Sequence, residues 1–437
     1  MRIRVLIIAG TLAAAVALAV SFDALAQKPA DPTSPRLPMS KPEDVGMSSP
    51  RVNTIGTAMQ RLVDLKEIAG AVTLVARRGR VVHLGVVGNR DVEKGARMTA
   101  DTVFRIRSMT KPIVTVAAMM LYEEGHFLLS DPIAKWLPEF RSMRVVDVPF
   151  AQQRPGMKYG SQVAANAITI RHLLTHTSGL PGYNSTITEF EQARPQAARN
   201  DTLASFATRV SKLPLHFEPG SSWQYGYATD VVGRLIEVIS GRTLDEFLNE
   251  RIFGPLGMSD THFYLPKSKL PRLAAVYGRN ANAQLELIEA PTEASPYVRT
   301  DTYLSATGGL LSTAPDYFRF HQMMLNGGEL DGVRLLGRKT VELMTANHTA
   351  DMFRAAPGMS FGLGYAIVSD VGASGLPGSV GMYTWPGSLT TTSFVDPVEQ
   401  MVGIMMIQLQ PRSGGITNEF QVLASQAIVD GRQTRPN

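Results

Sequence analysis

The sequence predicts an α+β fold in which one antiparallel sheet, flanked by terminal helices, carries an inserted helical domain. Three observations predict it. Short β-branched runs lie near the start of the chain, at 71–76 and 81–87, and again near its end, at 364–368, 390–395 and 402–408. Between Asp131 and about Thr300 the apolar spacing is helical, broken by Pro and Gly, with little strand alternation. Helical patterns also stand at both ends, over 52–68 and 418–429. The division that follows is an α/β domain from 51–130 and 300–437, with a helical domain over 131–299. A cleft between two such units is a natural ligand site.

Taken in order, Arg2 and Arg4 precede the apolar run Val5 to Val20 and the small-residue pattern Ala24-Leu25-Ala26. This predicts a signal peptide over 1–26, and with it a periplasmic or secreted protein. The run is shorter than the roughly 20 residues that cross a bilayer, so no stable membrane span is expected after cleavage. Residues 27–50, rich in Pro, Ser and Lys, read as an arm laid over the surface without a core of its own. Residues 52–68 form a helix, followed by a hairpin that turns through Arg78-Gly79. Ile113, Val114, Val116, Ala117, Met120 and Leu121 repeat at helical spacing and stop at Gly125, with Pro112 tolerated in the first turn, so Ser108 stands at a helix N-terminus. Further helices span Val231 to Ser240, ending at Gly241, and Leu244 to Phe253.

Composition narrows the function classes. The net charge of +5 falls by one when residues 1–26 are removed. Its Lys and Arg are scattered singly without interleaved aromatics, so nucleic acid is not an expected partner. There is no cysteine, which excludes disulfides, thiolate metal sites and a cysteine nucleophile.

Ser108-Met109-Thr110-Lys111 is an S-x-x-K tetrapeptide whose spacing puts hydroxyl and amine on one helix face, one turn apart. A serine hydroxyl attacks only when a base takes its proton, and a lysine serves once burial lowers its pKa. The apolar residues after Lys111 supply that burial, and the helix N-terminus offers the Ser108 N–H to a developing oxyanion. Gly358-Met359-Ser360-Phe361-Gly362 spells a rival G-x-S-x-G elbow, but the last histidine, His348, lies upstream of it, and Ser360 reads as a loop serine. His172 and His176 are spaced to share a metal, yet no third ligand is evident and both read as structural. The methionines at 119, 120, 323 and 324 read as core filler. No metal or cofactor is expected.

Phe104 to Ile113, then Leu121-Tyr122-Glu123-Glu124-Gly125 and Leu129-Ser130-Asp131-Pro132, resembles the nucleophile region of the β-lactamase-like, penicillin-binding serine hydrolases. Thr169 to Leu180 resembles the next landmark of that family. The resemblance implies the β-lactamase/transpeptidase-like fold and three catalytic residues, Ser108, Lys111 and Tyr225. Tyr225 matches the family's tyrosine within Pro219-Gly220-Ser221-Ser222-Trp223-Gln224-Tyr225-Gly226-Tyr227. A phenol beside an ammonium can have its pKa pulled down, so either Lys111 or Tyr225 is open as the first base. Trp385-Pro386-Gly387-Ser388 resembles the third motif in its Trp-Gly-Gly form, known from family VIII carboxylesterases, and would lie on an edge strand or a bulge because of Pro386. By that match the Ser388 N–H completes the oxyanion hole begun by Ser108, and Tyr227, Trp385 and Gly387 bind substrate.

Two departures set the expected substrate. Tyr227 stands where the family has an asparagine suited to a β-lactam acylamino group, and Trp385 stands where it has a carboxylate-binding lysine. Both weaken β-lactam recognition, and the apolar wall of Trp385 in place of a cation favours neutral esters over penicillins within the expected class of small-molecule ester or amide substrates. A carboxylesterase acting through an acyl-Ser108 intermediate is therefore expected. A β-lactamase or D-amino-acid peptidase of the same fold is the alternative, and a non-catalytic protein binding cell-wall fragments is the rival from another class.

Overall fold

The computed structural model describes residues 37–195, 201–301 and 303–431, all in the unit that runs from Pro35 to the C-terminus. The signal peptide expected over 1–26 lies outside the described residues, as does the arm as far as residue 36. No helix among the described residues is long and apolar enough to cross a membrane.

The expected antiparallel sheet is present, and it is built from both ends of the chain. Its early strands are β1 (Gly70–Arg77), β2 (Arg80–Asp91) and β3 (Ala96–Arg97). Its late strands are β4 (Met359–Phe361), β5 (Ala366–Val368), β6 (Tyr383–Thr384), β7 (Thr392–Asp396) and β8 (Met401–Met406). They lie in the order β4-β5-β6-β7-β8-β1-β2-β3. The two halves join where β1 pairs β8, Val72 opposite Met406 and Arg77 opposite Met401.

Every residue of β1 and β8 is buried, because helices cover both faces of the sheet there. Val72, Leu74, Ala76, Val402, Ile404 and Met406 point into one core, with helices α2 (Thr110–Glu123) and α4 (Ala314–Leu325). Ala71, Val75, Met401 and Met405 point into the other, against α1 (Ser49–Asp64) and α5 (Gly414–Ser425). Between the sheet's halves the chain carries α3 (Ala228–Ser240), which packs on α2. Thr110 to Leu121 are all buried, as a helix apolar on every side requires.

Several expectations are corrected. The terminal helices begin earlier than their strongest apolar spacing, at Ser49 rather than Val52 and at Gly414 rather than Asn418. Ser360 lies in β4 rather than in a loop. Two hairpins interrupt the middle of the chain, Arg144–Val146 with Ser161–Val163 and Val276–Arg279 with Leu285–Glu289. Strands this short do not alternate long enough to register as a pattern.

The arm also contributes to the core. Val45 and Met47 are buried beside α1 and α5. Arg77, at the end of β1, fastens them: Nη1 donates to the carbonyls of Val45 (2.8 Å) and Gly46 (3.1 Å) and to Asp430 (2.5 Å), while Nη2 donates to Glu399 (2.9 Å). Its side chain is 3% exposed. Arg77→Met is expected to destabilise the fold by roughly 3 kcal/mol, since it leaves the enclosed Val45 carbonyl without its Arg77 donor and takes the buried guanidinium from Asp430 and Glu399, and urea unfolding checks this.

Candidate active site

The turn that carries Ser108 is fixed before α2 begins. Gln408, just past β8, brackets Arg105: its Oε1 accepts the Arg105 N–H (3.1 Å) and its Nε2 donates to the Arg105 carbonyl (3.1 Å). The Ile106 N–H donates to Leu310, and Tyr317 on α4 donates its hydroxyl proton to the Met109 carbonyl (2.8 Å). Residues 107–109 form a single 3-10 turn leading into α2. The serine therefore sits one turn before the α-helix proper.

The structure brings Ser108, Lys111 and Tyr225 together. Tyr225 Oη donates to Ser108 Oγ at 2.7 Å, and Lys111 Nζ lies 3.4 Å from the same oxygen. Nζ also donates to the Thr307 carbonyl at 2.9 Å and stands 4.4 Å from the centre of the Tyr225 ring. Trp385 Nε1 donates to Tyr225 Oη at 3.2 Å, which leaves the phenol proton facing Ser108.

Burial governs the electrostatics. Lys111 is 1% exposed, and desolvation lowers its pKa to about 7, with the charge of Asp230 opposing the fall. Asp230, fully buried in the first turn of α3, is raised to about 6 by its own desolvation, against hydrogen bonding to Thr307 and the charge of Lys111. The two residues grip one peptide segment from opposite sides. Asp230 Oδ1 accepts the Thr307 N–H (3.1 Å) while Lys111 holds the Thr307 carbonyl. For Tyr225 the expectation of a lowered pKa is reversed: desolvation pushes the phenol up, and its hydrogen bonds to Ser108 and Trp385 offset only part of the rise. The lowered group at this site is the amine.

The remaining expected residues divide into two groups. Ser108, Tyr227 and Ser388 line a cavity of about 440 Å³, whose other walls include Tyr183, Phe263 and Tyr303. The backbone N–H groups of Ser108 and Ser388 have no acceptor among the described residues. Trp385 and Gly387 do not line that cavity. Trp385 is wedged between Tyr225 and Phe361, with ring centres 5.1 Å from each, so it positions the phenol. A Cβ on Gly387 would fall 2.1 Å from Thr391 Oγ1 and 2.5 Å from the Ile106 carbonyl, so glycine is needed for the backbone to pass beneath the nucleophile turn. The edge strand expected for this motif is absent. β6 ends at Thr384 and lies inside the sheet, and Pro386 falls just beyond it, where its missing N–H costs no ladder bond.

His172 accepts the Thr169 N–H through Nδ1 (3.2 Å) and so caps its short helix. His176 is buried against Tyr225, Trp223 and Phe361. Asp230, Thr307, Tyr183 and Tyr303 were not legible as site residues. Only Asp230 left a signal, a carboxylate in the first turn of the helix, directly ahead of the apolar pair Val231-Val232.

Comparison with known proteins follows the same lines. The family model described as Beta-lactamase matches residues 56–426. Protein Rv1367c of Mycobacterium tuberculosis is 36% identical over 369 residues, covering 81% of this chain and 89% of that protein. Esterase EstB of Burkholderia gladioli is 30% identical over 350 residues, covering 76% and 83%. Among solved structures, EstCE1, described as a hydrolase with promiscuous acyltransferase activity, superposes with a TM-score of 0.71 at 25% identity, covering 87% of this chain and 98% of its own.

Proposed function

Because this chain belongs to the beta-lactamase family, we propose that it is a serine hydrolase that cleaves carboxylic esters through an acyl-Ser108 intermediate. One observation carries the reading: Ser108 Oγ is in reach of both a buried amine of lowered pKa and a phenolic proton. Ser108 Oγ attacks the ester carbonyl and its proton passes to neutral Lys111. The N–H groups of Ser108 and Ser388 hold the oxyanion. As the tetrahedral adduct collapses, Tyr225 gives its proton to the leaving alkoxide and is reprotonated from Lys111. Water enters by the reverse sequence, releasing the acid and restoring Ser108.

Ester is favoured over β-lactam by the two departures from the family pattern. No lysine stands at the third motif to receive a carboxylate, and the indole there is bonded to Tyr225 instead. The N-terminal sequence supports export of the enzyme.

The test is hydrolysis of a short-chain 4-nitrophenyl ester beside nitrocefin, with intact-mass detection of a single fluorophosphonate adduct. Ester turnover and one adduct are expected. Nitrocefin turnover without ester turnover would reverse the ordering in favour of a β-lactamase or peptidase, and absence of both turnover and adduct would favour the binding protein.

Asp230 supplies a second test. Its anion favours the Lys111 ammonium, so Asp230→Asn should lower the Lys111 pKa and move the acidic limb of kcat/KM toward lower pH by roughly one unit. An amide can still accept the Thr307 N–H, so a thermal melt close to that of the parent is expected alongside. The pH–rate profile of the variant checks the direction.

A further inference from the structure

Arg107 immediately precedes the nucleophile and lines the same cavity. Its φ of +49° lies in the left-handed region, where glycine sits without strain and an L side chain does not. Gly308 packs against this turn, at a distance where its own Cβ would be 3.4 Å from the Arg107 carbonyl carbon. A long cation is thus held at a backbone position that disfavours it, beside the reacting oxygen. Strain of this kind, kept at a site, points toward use.

Among the described residues that line the cavity, the charged ones are Arg107 and Glu289. Glu289 is already matched: its Oε1 receives Arg105 Nε (3.1 Å) and Nη2 (2.6 Å), and Arg105 is fully buried. The Arg107 carbonyl accepts the Thr110 N–H, whereas its guanidinium makes no hydrogen bond or ion pair with any described residue. Among the described residues the cavity therefore carries one guanidinium without a carboxylate partner, with five N–H donors in a planar fork suited to a carboxylate. The phenol of Tyr183 is close enough to feel the Arg107 charge, and its hydroxyl is able to donate to the same anion.

We propose that Arg107 is a specificity-determining residue that receives a carboxylate of the substrate, so that the preferred esters are monoanionic: half-esters of dicarboxylic acids or esters of a carboxylate-bearing alcohol. The inference rests on the esterase reading and names its substrate class. The anchor lies on the turn that carries Ser108, in a different place from the third-motif position held by Trp385, so the neutral ester expected from Trp385 gives way to an anionic one whose carboxylate is received elsewhere in the cavity.

The experiment compares 4-nitrophenyl butyrate with mono-4-nitrophenyl glutarate, whose charge is on the acyl side, and with 4-carboxyphenyl butyrate, whose charge leaves with the alcohol. Mature wild type, Arg107→Gln and Arg107→Lys are assayed at low and high salt. The ratio of kcat/KM for an anionic ester to that for the neutral one should fall about tenfold or more in Arg107→Gln, recover in part in Arg107→Lys, and shrink with salt in the parent. A response confined to one anionic ester identifies the side on which the carboxylate lies. A ratio that moves less than about twofold for both overturns the assignment and leaves Arg107 a solvated cation, while the esterase reading stands on the neutral ester. If the parent turns over no ester, the esterase reading fails separately. The Arg107 assignment is then decided by tryptophan fluorescence titration of Ser108→Ala with the glutarate half-ester, whose Kd should rise about tenfold when Arg107→Gln is added and which overturns the proposal if it does not.

Discussion

Ser108→Ala is expected to lower ester hydrolysis by about 10⁴-fold or more and to abolish the fluorophosphonate adduct, with the fold unchanged. The size of the effect follows from the role proposed for the hydroxyl: it would form the bond that splits one difficult hydrolysis into two easier steps, and no neighbour could replace it. Residual activity would reflect only the oxyanion donors and the cavity. Intact-mass spectrometry and initial rates on the same preparation check both parts, and an adduct that persists in the variant would place the nucleophile elsewhere. The packing gives no reason for such a variant to misfold, since Ser108 is partly exposed and the turn is held by backbone bonds to Met109 and Ile106.

Lys111→Met should lower kcat/KM by roughly 10²- to 10⁴-fold, the range of a general base. Its pH signature separates this role from mere packing. With a pKa lowered to about 7, the amine is protonated and inactive below that pH and free to accept the serine proton above it, so parent activity rises with pH through about 7. In Lys111→Met that limb should vanish, because no group of comparable pKa remains in contact with Ser108; the Tyr225 phenol is pushed upward by desolvation. Methionine fills much of the same volume but leaves the Thr307 carbonyl without its Lys111 donor and Asp230 without its counter-charge, so a lowered melting temperature with the fold retained is expected, and a thermal melt is recorded beside the rates. A pH–rate profile that keeps its limb near 7 in the variant would assign the base to another group.

Much of the nucleophile region was legible because its information is local. Helical spacing from Ile113 onward placed Ser108 and Lys111 on one face of one helix, and the observed turn and helix put their functional atoms 3.4 Å apart. The sheet was legible in its long strands, β1, β2 and β8, where β-branched and apolar runs persist for several residues. It was not legible in β4 and β6, of three and two residues, whose conformation is imposed by pairing to neighbours. The arm illustrates the same limit, since Val45 and Met47 are buried only because Arg77 and α5 come to them from distant parts of the chain.

By itself, then, the sequence determined the fold class, the family and the proximity of Ser108 and Lys111, because these depend on periodicity and on residues a few positions apart. Only the tertiary structure decided the rest: that Tyr225 meets Ser108, 117 residues away in sequence, with its pKa raised rather than lowered, that Asp230 and Lys111 hold the N–H and the carbonyl of Thr307, and that the Arg107 guanidinium lines the cavity without a partner among the described residues. The reason is physical. A pKa is set by desolvation and by the charges within a few ångströms, and a charge is free or matched according to which side chains the fold brings to it, neither of which is a property of spacing along the chain.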